Sequence, residues 1–450
     1  MKGAYMLAFG AADITTAEMS RAIEEWFRLY YRRQANDKED PSNEVAHTIV
    51  RKLVRAVFSE YEWSSRDGFA KGVLEVLDRK REQAVQLALV GGECYLKPMP
   101  GRDGFRFIVV PRDQVMIFGR DDEGMVTDVG TAIVSVRDKW YYTLLERRTV
   151  DGRGYLTIKN RLYRSHGAGA LGQEVPLDSL PEYEALAAEY TFREPVGSVG
   201  LVSVRTPVLN CVDGSGDAVS VYAAAVGLIR AIDRNMAQLN GEFERGKSRI
   251  IVSADMMRKD ERGRLVFDDT TFVGLDEDPD TVGVTIFSPA LREGSYLARE
   301  QELYRSIENV IGLKRGLLSE VEAADRTATE ITSSEGEYNL TVIDFQRMWE
   351  RAVREVLRVC GVLGRLYRVA GSHEVAEDAV AVSWGNGVLY DEEAVRTRML
   401  SEVQAGLLQP ERYLGHVYAL PCDTAEQRAR IRKEYMPEVG GGPENSVLIS

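Results

Sequence analysis

In the first part of the chain the apolar positions fall three and four apart. Ala46, Ile49, Val50, Leu53, Val57 and Phe58 form one stripe, which predicts an amphipathic helix. A second helical pattern covers Phe69 to Leu89. From Glu93 to about Arg164 the period changes to short apolar runs at Arg106–Val110, Thr131–Val136, Trp140–Leu145 and Tyr155–Ile158. Turn residues at Asp122-Glu123-Gly124 and Asp151-Gly152 separate them, so the segment reads as β-hairpins of an α+β domain. A polar, proline-containing stretch follows, from about Glu174 to Pro207.

The second half is dominated by long helical stripes. Tyr222, Val226, Ile229, Ile232, Met236, Leu239 and Phe243 keep one apolar face over Asp217 to Glu244. A β-rich segment comes next, Arg249 to about Pro289, with runs at Arg249–Ser253, Leu265–Phe267 and Val282–Phe287. Its loops are strongly charged. A helix is predicted from about Gly294 to Ile311, and after a break near Gly312–Gly316 another from about Ala328 to Val369. In the latter, Leu340, Ile343, Trp349, Val353, Val356, Cys360, Leu363 and Tyr367 make the buried stripe. A strand at Ala379–Trp384 precedes a helical end and a Gly440-Gly441-Gly442 tail. Two helices thus flank a β module of about forty residues, which is expected to project on a helical stalk.

A chain of 450 residues has room for two or three cores. There is no run of roughly eighteen apolar residues, so no membrane-spanning helix is expected, and the apolar stretch Ala4–Phe9 is too short for a signal peptide. Cys94, Cys211, Cys360 and Cys422 lie far apart without a CxxC pair, which argues against structural zinc and a disulfide framework and suits a reducing compartment. The net charge is −13, whereas a protein that grips nucleic acid by neutralising phosphates should be basic over at least one domain. Any DNA handling would therefore be loose passage.

Two motif matches call for chemistry that their surroundings do not support. Gly241-Glu-Phe-Glu-Arg-Gly246-Lys247-Ser248 fits the P-loop pattern, but a P-loop follows a strand and opens a helix, and here a helix runs in and a β-like run comes out. A helix C-terminus, with Arg245 and Lys247 favoured by the macrodipole, is the plainer reading. Gly167-Ala-Gly169-Ala-Leu-Gly172 matches GxGxxG, yet Gln173-Glu-Val-Pro176-Leu carries no helical stripe, so a glycine-rich hairpin loop is expected. Asp268-Asp269 and Asp276 to Asp280 sit in turn-like loops rather than on rigid elements converging on a metal. No catalytic residue, metal site or cofactor is expected.

Several ordered segments carry a resemblance: Pro207-Val-Leu-Asn-Cys-Val-Asp, Ser220-Val-Tyr, Ile229-Arg-Ala-Ile-Asp233, and Leu239-Asn-Gly-Glu-Phe-Glu-Arg-Gly-Lys-Ser-Arg-Ile. A second block is Arg326-Thr-Ala-Thr-Glu330-Ile, with weaker echoes at Ala88-Leu-Val-Gly-Gly-Glu-Cys-Tyr-Leu-Lys, Tyr141-Tyr-Thr-Leu-Leu-Glu and Val403-Gln-Ala-Gly-Leu-Leu. Together they resemble the portal proteins of tailed bacteriophages, in the branch of siphophages that infect Gram-positive bacteria.

The resemblance implies an α+β portal fold: N-terminal helices and α/β wing over 1–216, a first stem helix over 217–246, a clip over 247–291 and a second stem helix over 292–312. It further implies a tunnel-loop region over 313–327, a long helix and returning wing strand over 328–390, and a helical crown with a flexible tail over 391–450. The implied function is a homo-oligomeric ring of about twelve subunits at one capsid vertex, assembled in the host cytoplasm. Double-stranded DNA would pass through it in packaging and ejection, without sequence specificity. The implied partners are the terminase large subunit, the head–tail adaptor, and the major capsid and scaffolding proteins; no membrane is involved. Lys314 and Arg315 near the tunnel loop could touch phosphates or could pair with Glu320 and Glu322, and both readings stand. Arg258, Lys259, Asp260, Glu261, Arg262, Asp276, Glu277 and Asp278 are the expected clip contacts, since exposed loops on a stalk are where partners bind. The competing readings are a P-loop ATPase built on Gly241–Ser248 and a different head–tail structural ring protein.

Overall fold

The structure, a computed structural model, describes residues 2–31, 42–245, 249–251, 258–259, 265–266, 285–287, 292–320, 328–376, 379–384, 392–418, 420–422 and 424–436. The chain divides into two units, one of Met1–Phe58 and Trp63–Val382, the other of Ser59–Glu62 and Ser383–Ser450.

In the larger unit the helices come first: α1 (Lys2–Phe9), α2 (Ala17–Tyr31), α3 (Val45–Val57), then the short strand β1 (Glu62–Ser65), α4 (Gly68–Asp78) and α5 (Arg81–Gly91). The stripe predicted on α3 is the buried one, with Ile49, Val50, Leu53 and Val57 fully covered. Phe69 to Leu89 forms two helices rather than one. Asp67 caps α4 by accepting from the Ala70 N–H, and the helix stops at Asp78 before α5 begins. On α5 nearly every side is buried, from Ala84 to Gly91, the pattern of a helix at the centre of a core.

Two antiparallel sheets pack beyond α5. The first has the order β10 (Val202–Arg205), β2 (Glu93–Pro100), β3 (Phe105–Pro111). The second runs β4 (Val115–Arg120), β5 (Val126–Arg137), β6 (Trp140–Val150), β7 (Leu156–Ser165), β8 (Gln173–Val175), with β9 (Glu189–Thr191) also on β7. The Gly167–Gly172 match is the connection between the paired strands β7 and β8, so it is a hairpin loop. Gly172, at φ +76, sits so close to Arg164 that a Cβ would meet its carbonyl oxygen at 2.0 Å. The stretch predicted as polar supplies β8, β9 and β10 and buries Leu180, Phe192, Val196, Val199 and Leu201.

Buried charges join these layers. Lys97 on β2 reaches both carboxylate oxygens of Glu146 on β6 at 2.8 Å, and Arg148 Nε donates to the same carboxylate at 2.7 Å. Burial by itself would raise the Glu146 carboxyl, but Arg148 and Lys97 outweigh it and hold the group at about 2. A second network joins Glu93 to Arg112 (3.0 Å) and Asp217 to Arg120 (2.7 Å).

That network corrects the predicted start of the first long helix. Asp217 is buried in the core, and the segment after it is not helical until a 3-10 turn at Ala223–Ala225 leads into α6 (Val226–Arg245). The Val221 N–H and the Ser220 hydroxyl both donate to the Leu89 carbonyl, at 2.9 and 3.0 Å, so they are committed to the end of α5 rather than to helix. Gly92, at φ +82, permits the crossing, since a Cβ there would lie 2.4 Å from the Ala218 oxygen.

Of the module after α6, the described residues form β11 (Arg249–Ile251), β12 (Arg258–Lys259), β13 (Leu265–Val266) and β14 (Thr285–Phe287). β11 pairs with β14 and β12 with β13, both antiparallel. Next come α7 (Glu293–Ile311), α8 (Ala328–Tyr367) and β15 (Val380–Ser383). On α8, Phe345, Trp349, Val353, Val356, Cys360 and Leu363 face the core, and Trp349 meets Phe58 edge-on at 5.8 Å.

The smaller unit holds α9 (Glu392–Gln404), α10 (Pro410–Val417) and α11 (Ala425–Tyr435). Thr424 and Gln427 form a capping box at the start of α11, and Arg432 on α11 pairs with the buried Glu411 on α10.

Candidate functional site: a helix pair and the segment at its base

The sequence concentrates its candidate residues on α6, α7 and the segments between and after them. Ile229, Ile232 and Leu239 of α6 are buried, whereas Phe243, one turn further on, is 42% exposed. The apolar stripe therefore runs out of the core along the helix. At the inner end Asp233 accepts from the Asn43 N–H at 2.9 Å and Arg230 pairs with Glu25 of α2. Midway, the Asn235 amide donates to the Tyr296 carbonyl on α7 at 2.9 Å. At the outer end Arg292 donates two parallel hydrogen bonds of 2.9 Å to Glu242, which hold its carboxyl down at about 2.

Beyond Glu242, helix passes into strand. α6 runs through Gly241 to Arg245 and β11 starts at Arg249, the reverse of the order a P-loop needs. Gly246, Lys247 and Ser248 lie outside the described residues. The antiparallel pairing of Arg249 with Phe287, Ile250 with Ile286 and Ile251 with Thr285 brings the two ends of the inserted module together. Of the expected partner contacts, Arg258 and Lys259 lie on β12 in register with Val266 and Leu265. Asp260, Glu261, Arg262, Asp276, Glu277 and Asp278 lie outside the described residues, as do Asp268-Asp269.

At the other end of α7 the chain turns sharply, and one carboxylate organises the turn. Glu308 is 1% exposed. Its Oε1 accepts from the N–H groups of Gly316, Leu318 and Ser319 at 3.1, 2.5 and 3.0 Å, and its Oε2 from the Ser319 hydroxyl at 2.8 Å. Gly312 closes α7 in the left-handed conformation at φ +74, with the Leu313 N–H on the Glu308 carbonyl. Lys52 of α3 donates to the Leu317 carbonyl, and the Thr341 hydroxyl of α8 donates to Gly312. Residues 312–320 are thus tied to three helices. On this ordered base Lys314 is half-buried and Arg315 exposed, while the exposed Glu320 donates its N–H to Gln301 at 2.8 Å. Glu322 lies outside the described residues.

Sequence reasoning named Lys314, Arg315 and Glu320 but missed Glu308, Lys52 and Asn235, which hold the segment and the helix pair in place. A signal for Glu308 was available. An acidic residue in the last turn of a helix opposes the macrodipole, so it needs a local reason to be there.

Among the described residues no group of His, Cys, Asp and Glu could hold a metal ion, and no helix is long and apolar enough to cross a membrane. Cys94 and Cys360 are buried, and burial pushes both thiols up, away from reactivity.

No curated protein matches the chain. Among solved structures, a chain in the neck of a native GTA particle computed with C12 symmetry is similar at 11% identity and TM-score 0.43, over 93% of this chain and 98% of that one. A chain in the neck of an empty GTA particle computed with C6 symmetry is similar at 12% identity and TM-score 0.43, with the same coverage. The model of the SPP1 Gp6-like phage portal proteins matches residues 17–434. That span includes every described helix from α2 to α10 and every described strand, and the chain belongs to this family of phage portal proteins.

Proposed function

We propose that the chain is the subunit of a ring that forms the channel for double-stranded DNA at one capsid vertex, in packaging and in ejection. In this reading α6 and α7 are the stem and the module between them is the clip, where the terminase large subunit and later the head–tail adaptor dock. The 312–320 segment begins the tunnel loop, the two sheets with α1 to α5 are the wing, and the helices after 391 are the crown.

The observation that carries the reading is the helix pair itself. Two antiparallel helices leave a core rich in internal ion pairs, are clamped by Asn235–Tyr296 and Glu242–Arg292, and carry a strand module at the outer end. At the inner end Glu308 fixes a turn that presents Lys314 and Arg315. A net charge of −13 suits passage of DNA without retention, because phosphate contacts in series would hold it. The family is a structural one, and a helix that runs through Gly241 to Arg245 with a strand from Arg249 supports a reading other than a P-loop ATPase.

Electron microscopy of the purified protein tests this directly. End-on views should show rings of about twelve subunits with a central hole. A monomer that hydrolyses ATP, with the activity lost in Lys247→Ala, overturns the reading.

A further inference from the structure

A half-open cavity of about 290 Å³ lies where β2, the six-stranded sheet, the 185–192 segment and the end of α8 meet. No step of the channel reading uses it. Its floor is polar: Lys97, Glu146 and Arg148, already joined to one another, and beside them Asn160. Its rim is apolar and open to solvent, with Leu186, Tyr190 and Tyr367 at 39, 46 and 50% exposure.

Two further observations point to an occupant. Asn160 is 5% exposed; its amide nitrogen donates to the Ala187 carbonyl at 2.9 Å, but its Oδ1 has no donor. A buried amide oxygen of this kind is a polar spot beside the cavity that the chain's own donors leave unpaired. Next to it, β9 pairs with β7 along one edge, and among the described residues no strand covers the other. Such an edge accepts an extended segment by main-chain pairing. The surrounding segment is acidic: Glu184 and Glu194 are exposed and have no cationic partner among the described residues, while Glu182 and Glu189 are paired with Arg137 and Lys159.

We propose that this corner of the molecule docks an extended peptide segment of another protein. The segment adds as a strand to the free edge of β9 and places one apolar side chain in the cavity, over the floor that holds Asn160. Lysine or arginine residues on either side of the anchor face Glu184 and Glu194. None of the residues lining the site belongs to α6, α7 or the 312–320 segment, so it stands or falls independently of the channel reading.

The test uses fluorescein-labelled peptides of the form Lys-Thr-X-Thr-Lys, with X as Leu, Ile, Val, Met, Phe or Tyr, titrated with the full chain and read by anisotropy. At least one is expected to bind saturably, to lose affinity when X is Asp, and to weaken as salt is raised. Ala185→Trp, which fills the cavity from an exposed position, and Leu186→Asp on the rim should each weaken binding at least tenfold, with circular dichroism unchanged. No saturable binding at millimolar peptide, or binding that both variants leave intact, overturns the proposal.

Discussion

Between β2 and the six-stranded sheet, Lys97, Glu146 and Arg148 meet at the floor of the cavity, each less than a tenth exposed. On the helix pair, Glu242 and Arg292 make an equally well-formed contact at 2.9 Å, but Arg292 stands in solvent. The same chemistry has different consequences in the two places. A buried charge must have its partner, because neither water nor a neighbour can replace it. An exposed pair has water as its alternative and contributes little to stability. The sheets therefore form a region whose integrity depends on complete internal pairing. The helix pair carries apolar side chains outward, with Phe243 42% and Leu297 50% exposed.

The largest effect should come from breaking the buried triad. Lys97→Ala leaves Glu146 with one cation fewer in an environment that penalises charge and is expected to cost about 3–5 kcal/mol in a denaturant titration. Replacing all three by apolar residues of similar volume should recover most of that loss. A single variant with an unchanged midpoint would show that water reaches the triad. The same contrast appears in acid. Glu146 has a folded value of about 2, below its ordinary one, so its contribution is present above roughly pH 4.5 and is lost as pH falls toward 2. Glu146→Gln should flatten the stability profile between pH 4.5 and 2, and an unaltered slope would assign acid sensitivity to other carboxylates.

The next effect sits at the junction. Glu308→Ala strands three N–H groups and a hydroxyl at the base of α7 and is expected to cost about 1–3 kcal/mol. The local consequence should exceed the global one. Trypsin should cut after Lys314 or Arg315 faster in Glu308→Ala than in the parent, with Glu308→Gln, which keeps a carbonyl acceptor, in between. Equal cleavage rates would mean that Lys52 and Thr341 hold the segment without the carboxylate.

Much of this was legible in the sequence, and the reasons differ by region. The α7 helix was expected at Gly294 to Ile311 and is found at Glu293–Ile311, because its stripe is closed at one end by Gly312. The long helix was expected at Ala328 to Val369 and ends at Tyr367. Strands β3, β5 and β6 contain the runs predicted for them and β7 all but Tyr155 of its run, since alternation in a sheet with one covered face is a local pattern. Failures came where distant contacts decide. Asp217 reads as a favourable first-turn residue, yet Arg120 draws it into the core and Leu89 captures the backbone that follows. β8, β9 and β10 are three or four residues long in a polar stretch, too short to show a period. Glu308 is legible only as an acid at the unfavourable end of a helix, and Asn160, with ordinary neighbours in sequence, is made an orphan by the fold alone. Of the charged residues expected to meet DNA or partners, the structure places Lys314, Arg315 and Glu320 on the 312–320 segment and Arg258 and Lys259 on β12.

The smallest effect on a subunit's own stability belongs to the outward faces of the helix pair. Phe243→Ser and Leu297→Ser remove apolar side chains that the single chain leaves about half exposed, so each should change the unfolding midpoint by no more than about 0.5 kcal/mol. If these faces are covered by the next subunit of a ring, the same substitutions act on assembly instead, because the lost contact recurs at every interface around the ring. Light scattering at fixed concentration separates the two cases. The expected result is a subunit that melts like the parent but no longer sediments or scatters as a ring, most strongly in the double variant. Arg292→Ala should leave both readouts close to the parent, since its pair with Glu242 lies within one chain and the Arg292 side chain is 73% exposed. A double variant that assembles normally would place the subunit contact elsewhere on the stem, and one that unfolds on its own would show that these side chains belong to the core after all.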